Sequence, residues 1–291
     1  MTITNFFRIV ELRTKVISVS TYTLATLYLV ATGSPVDPLL AALLFAAVLL
    51  VDMGTTAFNS FYDYLRGVDN RLFTVEPDKV LVFSGVAPGH ALLVSLSLYF
   101  AAAVIGLFVA LMVGWWIVGV GALCMLVGFL YTGGPLPISR TPLGELFAGG
   151  FLGSVLFLVI VAAHGDAVAD AFVSSLPSTL LIASVLTVNN TCDREGDIAS
   201  GRRTLSVVVG RRGGTFLLYL LGTLAFLIAA ALPPVGPWGL VPLTLAFAAT
   251  IVIYRGMARR GYSHATKPAN MRAIITVVVL YTLGYGTALL L

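Results

Sequence analysis

Long apolar stretches, separated by short segments that carry the charges, constrain the fold of this 291-residue chain more than any other feature. Only 10% of the residues are charged, whereas ordinary soluble domains carry about 25%. A helix needs roughly 20 apolar residues to cross a bilayer, and backbone polar groups in lipid must be paired internally. The sequence therefore predicts an all-α integral membrane protein with nine transmembrane helices, at residues 16–34, 38–60, 90–113, 115–132, 143–163, 171–191, 214–232, 238–255 and 272–291.

The positions of the basic residues support this count. With these spans, all 17 Lys and Arg residues fall on one side of the membrane, and the opposite loops carry Asp37, Asp166 and Asp170 but no basic residue. Basic loops collect on the cytoplasmic side. We therefore predict a multi-pass protein of the cell membrane with a cytoplasmic N-terminus. The net charge of +4 then reflects topology and gives no reason to expect a nucleic acid partner.

A cluster of polar side chains closes the sixth predicted span. Asn189, Asp193 and Asp197 are spaced by four, so on a helix they form one ridge. Several oxygen-bearing side chains at the end of a membrane helix cost folding free energy unless they bind a ligand. Hard oxygen ligands in this number suit a divalent cation such as Mg²⁺, which usually shares its shell with phosphate and water.

The second predicted span ends in a matching cluster. Asn59 and Asp63 are again four residues apart, and Asp69 follows a break at Gly67. The two clusters lie four spans apart and therefore on the same, cytoplasmic, face. We expect them to face each other across the mouth of a central cavity that opens to the cytoplasmic side.

Basic residues surround both clusters in the predicted topology. Carboxylates with a metal, together with Lys and Arg, are the arrangement that binds a diphosphate and stabilises it as a leaving group. The rest of the substrate must suit an apolar cavity between helices, and an isoprenyl diphosphate meets both demands. The basic residues near the clusters are Lys15, Arg66, Arg71, Lys79, Arg202 and Arg203.

These motifs resemble those of the UbiA superfamily of intramembrane aromatic prenyltransferases, and in particular its menaquinone (MenA) branch. The first cluster resembles N-x-x-x-D-x-x-x-x-x-D, and the second resembles N-N-x-x-D-x-x-x-D followed by Gly-x-x-Thr-Leu. The segments 131–137 and 143–146 resemble the exit from span four and the entry to span five in that branch, and Arg13-Thr14-Lys15 resembles its basic N-terminal signature. The resemblance covers nearly the whole chain and implies a single UbiA-type domain over residues 1–291.

The resemblance implies a Mg²⁺-dependent transfer of an isoprenyl group from its diphosphate to an aromatic acceptor. On this branch the acceptor is 1,4-dihydroxy-2-naphthoate, which loses CO₂ and a proton to give demethylmenaquinone. The implied catalytic and metal-binding carboxylates are Asp63, Asp69, Asp193 and Asp197, with Asn59 and Asn189 as further metal ligands. The implied substrate-binding residues are Asn59, Asn189, Asn190, Lys15, Lys79, Tyr62, Tyr131 and Arg202, with Phe58 as a further aromatic candidate.

Three other functions remain open from the sequence. A UbiA-type membrane terpene cyclase has the same metal motifs but quenches the cation internally, so its product contains no acceptor ring. A prenyltransferase for another aromatic acid differs only in its acceptor. A transporter of the inverted-repeat type places ionisable residues near the membrane midplane, whereas these clusters lie at one face.

Two further carboxylates have no assigned role. Asp52 lies seven residues before Asn59, on the same helical face and deeper in the membrane, where an ionisable residue is a functional candidate. It also fits a buried, hydrogen-bonded group. Glu145 opens the fifth span, where an acid also stabilises a helix N-terminus.

Overall fold

The computed structural model describes residues 1–72, 74, 76, 78–232 and 235–291. In these residues the chain is helical, with short turns between the helices. The helices are α1 (Ile3–Ile9), α2 (Val16–Ala31), α3 (Pro38–Leu65), α4 (Val80–Phe83), α5 (Pro88–Val113), α6 (Trp116–Thr132), α7 (Gly144–Ala163), α8 (Val168–Cys192), α9 (Arg194–Ala199), α10 (Leu205–Ala231), α11 (Leu240–Arg260) and α12 (Lys267–Leu290).

Seven helices in the described part of the chain are long and apolar enough to cross a membrane: α3, α5, α7, α8, α10, α11 and α12 with the turn before it. This confirms the prediction of an all-helical, multi-pass membrane protein. The other two predicted spans correspond to α2 and α6, which have 16 and 17 residues. The count of nine spans and the cytoplasmic opening therefore stay predictions.

The long helices pack side by side around a central space. α3 packs against α5, and both contact α6; α2 contacts α7 and α12. α12 also packs on α11, while α8 packs on α7 and α10. α3 and α8, the helices that carry the two polar clusters, therefore stand in different parts of the bundle.

α3 extends beyond its predicted end. The Asp37 side chain accepts hydrogen bonds from the backbone N–H groups of Leu39 and Leu40, and Pro38 fills the first turn, where its missing N–H costs nothing. The helix runs to Leu65, five residues past the predicted boundary. Its last two turns thereby carry Asn59 and Asp63 of the first polar cluster on one helical face.

A π-helical segment, Gly150–Val155, interrupts the α-helical geometry of α7. Thr179 of α8 accounts for it, because its hydroxyl oxygen accepts from the backbone N–H of Ser154 at 2.9 Å. The segment lets α7 and α8 approach closely at Gly149 and Gly153.

Gly153→Ala is expected to destabilise the protein by about 1–3 kcal/mol, the usual cost of overpacking. A Cβ at this position would lie 2.5 Å from the backbone N and Cα of Thr179, which cannot move aside. Gly150→Ala is the matched control, since its Cβ would meet nothing within 4 Å. Thermal unfolding in detergent measures both variants, and equal melting temperatures would contradict the assigned packing.

Candidate functional site

A cavity of about 1500 Å³ lies between the helices. It exceeds the roughly 300–1,000 Å³ of ordinary small-molecule pockets. Leu44 and Asp63 both line it and are nineteen residues apart on α3, which is about 28 Å at the helical rise of 1.5 Å per residue. The lining is polar around Asp63 and largely apolar toward Leu44, with side chains that include Val48, Leu107, Ile117, Phe151 and Leu156.

The two predicted clusters converge on the polar end of this cavity. Every predicted site residue except Tyr62 and the further aromatic candidate Phe58 lines it: Lys15, Asn59, Asp63, Asp69, Lys79, Tyr131, Asn189, Asn190, Asp193, Asp197 and Arg202. The cavity therefore brings together residues that are more than 100 positions apart in the sequence.

The end of α3 explains the six-residue spacing of Asp63 and Asp69. Gly67 adopts a left-handed conformation with φ +68°, which glycine reaches without steric cost. The chain then folds back, so that the backbone N–H groups of Val68 and Asp69 both donate to the Asp63 carbonyl, at 2.9 and 3.1 Å. Asp69 is thereby returned to the side of the helix end that carries Asp63.

The second cluster uses a nearly continuous helix instead. Asp193 ends α8 and precedes α9, which contains Asp197. The backbone N–H of Asp193 donates to the Asn189 carbonyl, and that of Asp197 donates to the Asp193 carbonyl, at 3.0 and 2.9 Å. The helical repeat thus continues across the junction, which is why a spacing of four keeps the three side chains on one ridge.

In each cluster, one carboxylate forms an ion pair with a lysine. Lys79 Nζ lies 3.1 Å from Asp69 and 3.0 Å from Glu11. Lys267 Nζ lies 2.6 Å from Asp193 and 2.5 Å from Glu76. Burial alone would lower the pKa of Lys79, but Asp69 and Glu11 outweigh it and hold that pKa well above its usual value. The lysine is therefore a permanent positive charge in the cavity wall.

Asp197 is the most enclosed of the four aspartates, with 2% of its side chain exposed. Its carboxylate pairs with Arg202 at 3.2 Å and accepts from the Thr204 hydroxyl at 3.0 Å. Arg202 also donates to the Ser139 carbonyl at 2.9 Å. Burial raises the pKa of Asp197 although Arg202 opposes it. This pair fixes the loop after α9 against the turn before α7.

Lys15 and Asp52 form a buried ion pair on the cavity wall. The Lys15 ammonium lies 2.5 Å from the Asp52 carboxylate, 3.3 Å from its carbonyl and 2.7 Å from the Thr56 hydroxyl. The second carboxylate oxygen accepts from the Ser18 hydroxyl at 2.6 Å. All three N–H donors of Lys15 are thus used. Asp52 is a buried, hydrogen-bonded group, which is one of the two roles that its sequence position suggests.

The aromatic candidates separate into two groups. Tyr131 lines the cavity. Tyr62 instead packs against Phe58 and Phe129, with the Arg66 guanidinium 5.1 Å from the centre of its ring. Phe58 is 3% exposed and is enclosed by the same cluster. Tyr131 is therefore the predicted aromatic residue placed to contact a ligand.

Asn190 and Glu145 form a second buried contact beside the site. The Asn190 amide nitrogen donates to one Glu145 oxygen at 2.9 Å, and both side chains are nearly inaccessible. Because the Glu145 carboxyl group accepts this hydrogen bond from the Asn190 NH₂ group, the amide oxygen of Asn190 points away from Glu145. The carboxylate that opens the fifth predicted span thus orients a residue of the second motif.

Sequence reasoning missed several residues of this site. Lys267, His264, Glu11 and Glu76 all line the cavity, and His264 Nδ1 lies 3.6 Å from Asp193. Lys267 is 74 positions from Asp193 and lies among other basic residues that set topology. Its only sequence signal is its place in the loop before the last predicted span, on the same predicted face as the motifs.

The residues around the cavity also bear on the predicted metal. In the described part of the chain no three His, Cys, Asp or Glu residues come together as a metal cluster. The site instead offers carboxylate and amide oxygens from two edges of one cavity, at Asn59, Asp63, Asp69, Asn189 and Asp193. Mg²⁺ is commonly held by one or two carboxylates, with substrate phosphates and water completing its shell. The donor set therefore fits Mg²⁺ bound together with a phosphate-bearing substrate.

Comparison with solved structures identifies the fold. A UbiA homologue from Archaeoglobus fulgidus bound to DMAPP and Mg²⁺ superposes with a TM-score of 0.64, at 15% identity, over 98% of each chain. The apo UbiA homologue from Aeropyrum pernix superposes with a TM-score of 0.66, at 16% identity, over 94% of this chain and 98% of the other.

Sequence comparison identifies the family. This chain is 33% identical over 207 residues to the 1,4-dihydroxy-2-naphthoate octaprenyltransferase of Bacillus subtilis, a match that covers 70% of this chain and 66% of the Bacillus protein. It is 28% identical over 257 residues to the enzyme of that name from Mycobacterium tuberculosis, covering 84% and 85%. The UbiA prenyltransferase family matches residues 18–287. As its motifs predicted, the chain belongs to the UbiA prenyltransferase family and is a prenyltransferase of the MenA branch.

Proposed function

We propose that this enzyme transfers an isoprenyl group from its diphosphate to 1,4-dihydroxy-2-naphthoate, with Mg²⁺ bound, and that the product loses CO₂. The observation that carries the proposal is the single cavity that joins both Asn/Asp motifs to a long apolar chamber. The polar end suits a diphosphate, and the apolar length suits a prenyl chain. The relatives named 1,4-dihydroxy-2-naphthoate octaprenyltransferase favour this acceptor.

In this proposal the residues at the polar end bind and orient the diphosphate. Mg²⁺ would be held by Asn59, Asp63, Asp69, Asn189, Asp193 and Asp197, and when bound it withdraws charge from the phosphate oxygens and makes diphosphate a better leaving group. Lys79 supplies a fixed positive charge beside the first motif. Arg202 and Lys15 remain proposed diphosphate contacts, each of which would have to share its present carboxylate partner. Asn190 completes the proposed substrate-binding residues.

The chemistry then proceeds in the apolar part of the cavity. The allylic C–O bond breaks with its electron pair leaving on the diphosphate oxygen. The electron-rich ring carbon that bears the carboxylate attacks the resulting cation, and a new C–C bond forms. The bond from that carbon to the carboxylate then breaks and leaves its electron pair in the ring, so loss of CO₂ restores the aromatic quinol. The Tyr131 ring lies on the cavity wall, where an aromatic face stabilises a cation. Water is kept from the cation by the apolar lining.

The proposal includes the placement of the enzyme. We propose one UbiA-type domain over residues 1–291, with nine spans in the cell membrane and a cytoplasmic N-terminus. The distribution of the 17 basic residues supports this orientation. The motifs would then meet isoprenyl diphosphate from the cytoplasm, while the prenyl chain lies within the membrane.

The experiment is a comparison of acceptors with the purified protein in lipid nanodiscs. An isoprenyl diphosphate and Mg²⁺ are supplied with 1,4-dihydroxy-2-naphthoate, with 4-hydroxybenzoate or with no acceptor. We expect a prenylated ring only with the naphthoate, and no product once EDTA removes the metal. Prenylated hydroxybenzoate would overturn the acceptor, and a cyclic hydrocarbon formed without acceptor would indicate a terpene cyclase.

A further inference from the structure

Lys267 occupies an unusual place for a basic residue of a membrane protein. Residues that set topology are normally exposed, as Arg255 and Arg259 are at the end of α11, whereas only 13% of the Lys267 side chain is exposed. It is also the first residue of α12, and the helix macrodipole disfavours a cation at that end. Neither topology nor helix stability therefore explains it.

The contacts of Lys267 tie it to the second motif. Its ammonium lies 2.6 Å from one oxygen of Asp193, and His264 Nδ1 lies 3.6 Å from the other oxygen. Both residues come from the segment that begins α12, and both line the cavity. Lys267 additionally contacts Glu76 at 2.5 Å, so it joins the second motif to the segment that follows the first.

The pairing with Asp193 has a chemical consequence. A carboxylate oxygen that accepts a short hydrogen bond from an ammonium has less charge available for a divalent cation, so Lys267 and a metal compete for Asp193. The four-carbon stem of lysine lets the ammonium move while its backbone stays fixed. An ammonium released from Asp193 at this position would still lie in the cavity wall, next to the phosphates.

We propose that Lys267 is a diphosphate-binding residue that changes partners: it neutralises Asp193 in the free enzyme and contacts the diphosphate when Asp193 binds the metal. This inference rests on the proposed function, which supplies the ligand. Lys79 has the same arrangement at the first motif, between Asp69 and Glu11. Each motif thus has its own lysine.

The test measures how Lys267→Gln changes the affinity for Mn²⁺ and the affinity for a diphosphate analogue. We expect the two affinities to change in opposite directions. Without diphosphate, Mn²⁺ measured by EPR should bind about tenfold more tightly, because the competing charge has gone. With Mg²⁺ present, an isoprenyl thiolodiphosphate that cannot ionise should bind at least about tenfold more weakly, because a buried charge contact is lost. Lys267→Arg should retain diphosphate binding, and Arg255→Gln should change neither affinity.

A structural role would give a different result. If Lys267→Gln lowers the affinities for both Mn²⁺ and the thiolodiphosphate, or changes neither, the proposal is wrong. If Mn²⁺ binds more tightly but thiolodiphosphate binding is unchanged, Lys267 is only a counterion of Asp193 and the proposed diphosphate contact is wrong. Should the single variant fail to fold, Lys267→Gln with Glu76→Gln also removes the charge of the second acid that Lys267 contacts, and this double variant is measured in its place. Failure of the proposed function is separate: wild-type protein would then bind no thiolodiphosphate and form no prenylated product, and the proposal would fall with it.

Discussion

Asp63→Asn is expected to lower turnover by about 10²–10³-fold, because the amide holds Mg²⁺ less well and the loss of one group that preorganises the stabilisation of developing charge costs about that much. Asp63 lines the polar end of the cavity one helical turn after Asn59, and its carbonyl accepts a hydrogen bond from the backbone N–H of Asp69. Among the described residues its carboxylate makes no ion pair within 4 Å, so its replacement disturbs no such contact. The variant should fold normally, as judged by its melting temperature.

The matched control for this variant is Glu195→Gln. Glu195 lies beside the second motif, but 71% of its side chain is exposed and it pairs only with Arg211 among the described residues. It removes the same charge and should retain wild-type turnover, measured as product formed per enzyme at saturating substrates. Near-normal activity of Asp63→Asn would contradict the assignment of the first motif to catalysis.

Lys15→Met is expected to destabilise the protein by about 3–5 kcal/mol, because it leaves the Asp52 carboxylate buried without its cation. The side chains of Lys15 and Asp52 are only 5% and 12% exposed, so water cannot easily replace the lost contact. Thermal unfolding in detergent, or equilibrium unfolding in mixed micelles, measures the loss. A Lys15→Met variant as stable as the wild type would show that the pair contributes nothing.

The double variant Lys15→Met with Asp52→Leu should recover most of this stability. Two neighbouring hydroxyls still have backbone acceptors in the double variant. The Ser18 hydroxyl can turn from Asp52 to the carbonyl of residue 15, 3.1 Å away, and the Thr56 hydroxyl donates to the carbonyl of residue 52 at 2.9 Å. The double variant also separates two roles of Lys15. Restored stability with an increased KM for isoprenyl diphosphate would support the predicted diphosphate contact, and an unchanged KM would make the pair purely structural.

Much of the fold and the site followed from periodicity in the sequence. Asp52, Asn59 and Asp63 are spaced by seven and four, which places them on one face of a helix, and all three line the cavity. The same rule explains why Tyr62 lies outside it. Adjacent residues on a helix point about 100° apart, so a neighbour of Asp63 in sequence faces away from the ligand.

Contacts between distant segments could not be predicted in this way. Lys15 pairs with Asp52, 37 positions away, and Lys267 pairs with Asp193, 74 positions away. Both pairs depend on how α2, α3, α8 and α12 are rotated and placed in the bundle. In the sequence both lysines lie in basic segments between or before the predicted spans, as residues that set topology do. Only the packed helices distinguish a buried lysine that neutralises a motif carboxylate from one that meets water and lipid.

The mass of the product formed by the purified enzyme tests the central claim most directly. The reaction contains Mg²⁺, an isoprenyl diphosphate of defined length and 1,4-dihydroxy-2-naphthoate. We expect a naphthoquinol, or the quinone it forms in air, that carries the prenyl chain and lacks the carboxylate. Release of diphosphate with the prenyl group recovered as a free alcohol or hydrocarbon, and no prenylated ring, would contradict the proposal that this cavity joins the two substrates.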